Sequence, residues 1–258
     1  MATKVKKNFY STKLITITSG KGGVGKSTIT SNLAFLLSKN SYKVAILDAD
    51  IGLANLQVLF DVKPKYNFFD YIEGRCSFED SITKTSYDNI SLFSGLSSFM
   101  YSSYKNSFVL SNFVNEILNK DIFDFLLIDT GAGLNDYVKE FLTISDNILA
   151  ITSTDPSALT DVYALIKMLS IDKTKLMLCF NHTNSYQIGE NISKSLVSLG
   201  KKNSLKEDFM VKYLGNIKSC SNIATTSRLR RVFANEFRND DVTLQMELVL
   251  KNLILNLK

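Results

Sequence analysis

Cysteine, histidine and proline are all scarce in this chain of 258 residues, and each scarcity excludes something. The three cysteines, Cys76, Cys179 and Cys220, are odd in number and far apart. No pair has C-x-x-C spacing, which argues against a zinc site and against a disulfide framework. That pattern fits a reducing, cytoplasmic setting. The single histidine, His182, argues against a multi-His metal centre and against a Ser-His-Asp hydrolase. No apolar run reaches the roughly 18 residues of a membrane-spanning helix. The lysine-bearing stretch 1–13 is not followed by the apolar core of a secretory signal. Pro64 and Pro156 are the only prolines, and no linker, low-complexity block or repeat interrupts the chain. One domain is expected over 1–258, with 1–12 flexible.

The sequence carries 45% hydrophobic and 21% charged residues, the proportions of a globular domain. Its net charge of +5 is mild. Apolar strand-like runs at 13–18, 43–48, 90–93, 123–129, 147–152, 175–180 and 212–217 alternate with helix-like segments. The helices fall near 27–38, 106–119, 157–170, 189–199 and 241–257. This alternation predicts an α/β fold, a mainly parallel twisted sheet with helices on both faces. Such sheets bind ligands beyond the carboxyl ends of their strands.

The motifs fall at those ends. Gly20-Lys21-Gly22-Gly23-Val24-Gly25-Lys26-Ser27 satisfies G-x-x-x-x-G-K-[ST] between a strand and a helix. Glycines let backbone N–H groups curl around phosphate, and the helix dipole favours the same anion. The motif predicts nucleotide binding over 20–28, including Thr28. Lys26 would reach the β- and γ-phosphates, and the Ser27 hydroxyl would ligate Mg2+. Asp48 and Asp50 end the second strand-like run. Asp129 ends Phe125-Leu126-Leu127-Ile128-Asp129, the Walker B arrangement that holds Mg2+. Gly131 and Gly133 would let the following loop move with the γ-phosphate.

Lys21 adds a second lysine early in the loop, and K-G-G-x-G-K-[ST] resembles the MinD/ParA family of dimeric ATPases. The resemblance implies an ATP-dependent homodimer in which Lys21 reaches the partner's nucleotide, as an arginine finger does. It further implies that Asp50 orients the attacking water, that Asp48 lies near the metal, and that Asn181 contacts adenine. The Asn181-His182-Thr183-Asn184 string lacks the acidic fourth position of a guanine-reading N/T-K-x-D element, so ATP is expected over GTP.

Longer strings narrow the likeness. Leu47–Leu56 reads LDADIGLANL, 129–134 reads DTGAGL and 154–167 reads TDPSALTDVYALIK. With 66–70 and 73–74 they resemble the flagellar-placement (FlhG, YlxH or FleN) branch, with Asp155 where glutamate is usual. That branch implies control of flagellar number or placement, with the GTPase FlhF and basal-body proteins as partners. Two departures stand out. Residues 1–13 hold no D-Q-A-x-x-L-R string of the kind that stimulates FlhF, and Ile217 is followed by Lys218-Ser219-Cys220 in place of I-P-x-D.

Two alternatives remain: a ParA-like partition ATPase that binds DNA, and a metabolic P-loop ATPase. The first would draw on the basic stretch 201–231, which also reads as a solvated face. An iron–sulfur role is disfavoured, because the loop after Asp129 has no cysteine. The apolar positions of 241–258 recur at helical spacing and predict either a peripheral membrane helix or a core-packed one. Phe99, Tyr101 and Tyr104 form an aromatic cluster, read as a partner surface or as local packing.

Overall fold

The computed structural model describes residues 11–50, 55–95, 109–203 and 205–258. The aromatic cluster at 99–104, the segment 51–54 and residues 1–10 of the expected flexible stretch lie outside them.

Eight strands form one sheet. They are β1 (Lys13–Ser19), β2 (Val44–Ala49), β3 (Ile82–Lys84), β4 (Ile90–Phe93), β5 (Phe125–Ala132), β6 (Asn147–Thr152), β7 (Lys175–Phe180) and β8 (Met210–Asn216). Their order is β3-β4-β2-β5-β1-β6-β7-β8. Only β3 runs antiparallel, against β4, and the expected mainly parallel sheet is what forms. Interior strands are apolar on both faces because both faces are covered. In β2, Val44 and Ile46 enter one core while Ala45 and Leu47 enter the other.

On the first face lie α1 (Lys26–Lys39) and α10 (Asp241–Leu255), with α8 (Ser221–Arg228) and α9 (Phe233–Glu236) between the strand ends and α10. On the second lie α4 (Val109–Lys120), α5 (Asp136–Ile144), α6 (Pro156–Leu169) and α7 (Tyr186–Lys202). Two short helices follow β2: α2 (Asn55–Leu59) and α3 (Phe68–Ile72). A capping box of Asn67 and Asp70 starts α3.

The core claims the apolar stripe of 241–258. Val242, Met246, Val249, Leu250 and Leu253 are buried against α1 and β8. The far end is tied down as well, since Lys175 Nζ donates to the Asn256 carbonyl and the Lys258 N–H donates to Asn147 Oδ1 at 2.8 Å. This stripe is therefore occupied by protein and is not free for lipid. What faces outward is Leu244, Leu248, Ile254 and Leu255. Replacing Val249, fully buried beside Gly215, with aspartate should cost at least about 3 kcal/mol in denaturant unfolding, because it buries an unpaired charge. Leu248→Asp, on the outer side of the same helix, should stay within about 0.5 kcal/mol of wild type. Equal effects would mean that α10 is not core-packed.

Candidate functional site

The carboxyl ends of β1, β2 and β5 meet at the centre of the sheet, and the predicted phosphate motif closes over them. Gly23 (φ +78°) and Gly25 (φ +87°) adopt the left-handed conformation that only glycine takes easily. Gly25 is the N-cap of α1 and no side chain caps that helix, so its first-turn N–H groups are left for a ligand. A cavity of about 670 Å3 opens there. It is lined by Gly22, Gly23, Val24, Gly25, Lys26, Ser27 and Thr28 of the loop, with Asp50, Asn55, Val58 and Ser227 on its walls.

Lys26 is buried and lies 3.4 Å from Asp129 Oδ1 and 3.9 Å from Asp50 Oδ2. Asp129 and Asp48 are adjacent in the β2–β5 register, and both are fully buried. Asp48 accepts backbone N–H groups from Asp50 (3.3 Å) and Leu56 (3.2 Å). This carboxylate therefore organises both ends of the segment after β2. Gly95 packs directly against the Asp48 carbonyl, so close that a Cβ would sit 2.2 Å from it. The Thr30 hydroxyl is shared between the Lys26 carbonyl (3.0 Å) and Asp129 Oδ1 (3.2 Å).

Charge does not balance in this pocket. Burial, and then the Asp129 carboxylate, push Asp48 up to about 8, even though two N–H donors act the other way. Burial likewise raises Asp50, against the pull of Lys26. Asp129 Oδ2 is buried and has no hydrogen-bond partner among the described residues. An orphaned carboxylate oxygen beside an acidic excess fits a divalent cation. Among the described residues, no three His, Cys, Asp or Glu side chains converge as a complete metal site. An acidic donor set short of a complete cage suits Mg2+ shared with nucleotide phosphates.

A pH dependence follows. Folded Asp48 holds a proton that the unfolded chain, with a carboxyl near about 3.9, releases. This contribution is full below about pH 4 and is lost as pH rises through about 8. Thermal unfolding without nucleotide should therefore give a lower midpoint at pH 8.5 than at pH 5.5. Mg·ADP should shrink the gap, and Asp48→Asn should largely remove it. Asp155, held low at about 2, titrates outside this window. A midpoint that climbs with pH would contradict the assignment.

Lys21 behaves differently from Lys26. It is 43% exposed and does not line the cavity of its own chain. Its Nζ lies 3.3 Å from Asp155 Oδ1 and 2.5 Å from Ser157 Oγ, at the N-terminus of α6. Asp155 also caps α6, accepting from the Ser157 and Ala158 N–H groups. Gly20 packs on α6 too, where a Cβ would meet Asp161 Cβ at 2.4 Å. Asn181 sits next to the loop but is engaged. Its Nδ2 donates to the Val24 carbonyl (2.8 Å), its Oδ1 accepts the His182 N–H (2.9 Å), and it is buried over Gly25. In this arrangement it braces the phosphate loop.

This geometry and the sequence agree with known proteins. The ParA family model, described as NUBPL iron-transfer P-loop NTPase, matches residues 11–254. The flagellum site-determining protein YlxH of Helicobacter pylori is 37% identical over 93% of this chain and 82% of its own length. The antiactivator FleN of Pseudomonas aeruginosa is 31% identical over 94% and 86%. The chain belongs to the ParA family of P-loop NTPases. Within it, the chain groups with the YlxH and FleN proteins, and it is an ATPase that uses Mg2+. The fold is also that of MinD from Pyrococcus furiosus (TM-score 0.79, 23% identity, 94% of this chain and 98% of that one). MinD of Pyrococcus horikoshii, solved with Mg-ADP, gives a TM-score of 0.78 at 22% identity, covering 93% and 95%. All three cysteines are free, and Cys179 is fully buried inside β7.

Several positions that pack beside the site were not singled out from sequence. Thr30, Ser157 and Gly95 carry no motif of their own, and only the fold brings them to the site.

Proposed function

We propose that this ParA-family ATPase is a dimerisation switch of the MinD type that hydrolyses ATP slowly to set flagellar number or placement. The observation that carries the switch is Lys21. A loop lysine directed away from its own cavity, and half-exposed, is available to a second copy's nucleotide. Lys26 stays behind in the cavity to meet the β- and γ-phosphates. Mg2+ held by Ser27 and Asp129, with Asp48 close by, would offset phosphate charge. Asp50, at the open side of the pocket, orients the attacking water. In the dimer each Lys21 leaves Asp155 and Ser157 and stabilises charge on the phosphoryl group of its partner. Loss of the γ-phosphate then releases the loop after Asp129, where Gly133 (φ +86°) supplies a hinge.

The flagellar output rests on the likeness to YlxH and FleN. On the same ground, an SRP-type GTPase such as FlhF and basal-body proteins are the proposed partners. The partition alternative is weakened by the basic stretch itself. Arg230 pairs with Asp61, Arg231 with Glu236 and Lys218 with Asp241, and the remaining cations are strung over α7, the segment after it, β8 and α8. Among the described residues, no helix is long and apolar enough to cross a membrane.

The test is genetic. Deleting the gene should change flagellar number or placement. Wild type should restore it, and Asp50→Ala, which binds ATP without hydrolysing it, should not. Normal flagella with mis-segregated DNA would move the protein to the partition class.

A further inference from the structure

We infer that the groove between α1 and α10 is a docking surface for an acidic amphipathic helix. The groove has a volume of about 810 Å3 and lies at the end of α1 remote from the nucleotide. Its floor is apolar and recessed, made by Phe35 and Leu36 of α1 and by Leu250 of α10. At one end Tyr42, Ile254 and Leu255 stand exposed, Leu255 at 72%. The wall is preformed. The Tyr42 ring packs edge-on against Phe125 at 5.0 Å, and the Ala234 N–H of α9 donates to Asn32 Oδ1 of α1 at 2.8 Å.

The rim supplies the sign of the partner. Lys39, Arg238 and Lys251 line the groove, and Glu247 is the one acid among its lining residues. Arg238 contacts only Asn235, through Nε and Nη2, and none of the three cations joins an ion pair among the described residues. The neighbouring Arg230 and Arg231, by contrast, are neutralised by carboxylates of this chain. An apolar floor with unpaired cations on its rim is complementary to a helix with an apolar stripe and acidic flanks. The shape argues in the same direction. A convex rod about 10 Å across reaches a recessed floor, and a flat bilayer does not. The groove is independent of the flagellar reading, so either can fail alone. A partner seated there would press on the C-terminal end of α1, whose first residues are Lys26 and Ser27.

The test uses the full chain and a fluorescein-labelled designed helix of about 16 residues, with leucines at i, i+3, i+4 and i+7 and glutamates beside them. A sibling peptide carries lysine for glutamate, and a third has the stripe scrambled. Fluorescence anisotropy should show binding of the acidic helix. The lysine and scrambled peptides should bind at least about tenfold more weakly. Lys39→Glu/Lys251→Glu should weaken the acidic helix by a similar factor, and Ile254→Glu should do so through the apolar wall. These side chains are exposed, and an unchanged thermal midpoint confirms that the variants fold. Equal binding of all three peptides, or an affinity indifferent to these variants, would overturn the inference. So would vesicles containing phosphatidylglycerol that bind wild type and not the variants, which would make the surface a membrane contact. Doubling of the mass with groove residues cross-linked between copies would overturn it in favour of a second copy of this chain.

Discussion

Lys26→Ala should lower ATP turnover by at least about a hundredfold, because it removes the cation that sits in the phosphate loop within reach of Asp129. The same substitution should destabilise the protein without nucleotide. Asp129 and Asp48 are fully buried, and stripping a buried carboxylate of its cation costs about 3 kcal/mol or drives proton uptake. The two consequences separate by pH. Turnover stays lost throughout, while the stability deficit grows as pH rises, because Asp50 must ionise without the Lys26 charge that favours its ionised form. Steady-state hydrolysis and thermal unfolding of the variant check both. Turnover within tenfold of wild type would mean that the cavity is not the hydrolytic site.

Lys21→Ala should separate binding from turnover. Lys21 does not line its own chain's cavity, so Mg·ADP affinity should change by less than about threefold. Turnover should fall by about a thousandfold, the scale of a lost arginine finger. Stability should hardly change, since the pair with Asp155 is exposed on both sides and screened by solvent. A variant that loses nucleotide binding in parallel with turnover would make Lys21 an ordinary cis contact.

These two lysines also show what the sequence made legible. The phosphate loop is contiguous, and its glycines, Lys26 and Ser27 stand where the motif predicts. Asp48 and Asp129 were legible because an acidic residue ending an apolar run marks the carboxyl edge of a buried strand, and the register sets them side by side. The strand-and-helix alternation gave the parallel sheet, though it missed β3, a three-residue antiparallel edge too short for a period. The helices α2, α3, α5, α8 and α9 were missed for a related reason. They are short, and α3 and α5 begin on asparagine caps at Asn67 and Asn135 that signal turns as readily as helices.

The fate of a side chain was harder to read than its position. Asn181 falls beside the loop as expected, yet its amide is committed to Val24 and His182. Lys21 was expected to reach out, and in the single chain it rests on Asp155 and Ser157. The contacts to Val24, Asp155 and Ser157 do not follow from local spacing, because each joins elements more than a hundred residues apart. The stripe of 241–258 posed the same difficulty. Helical periodicity shows that one face is apolar, but only the packing of α10 on α1 and β8 shows what covers it.

The most direct test of the switch is the mass of Asp50→Ala by sedimentation equilibrium in Mg·ATP and in Mg·ADP. The account predicts twice the 28.9 kDa chain mass in ATP, a single copy in ADP, and a single copy in both once Lys21→Ala is added. A single copy in ATP, or a dimer indifferent to nucleotide and to Lys21, would contradict it.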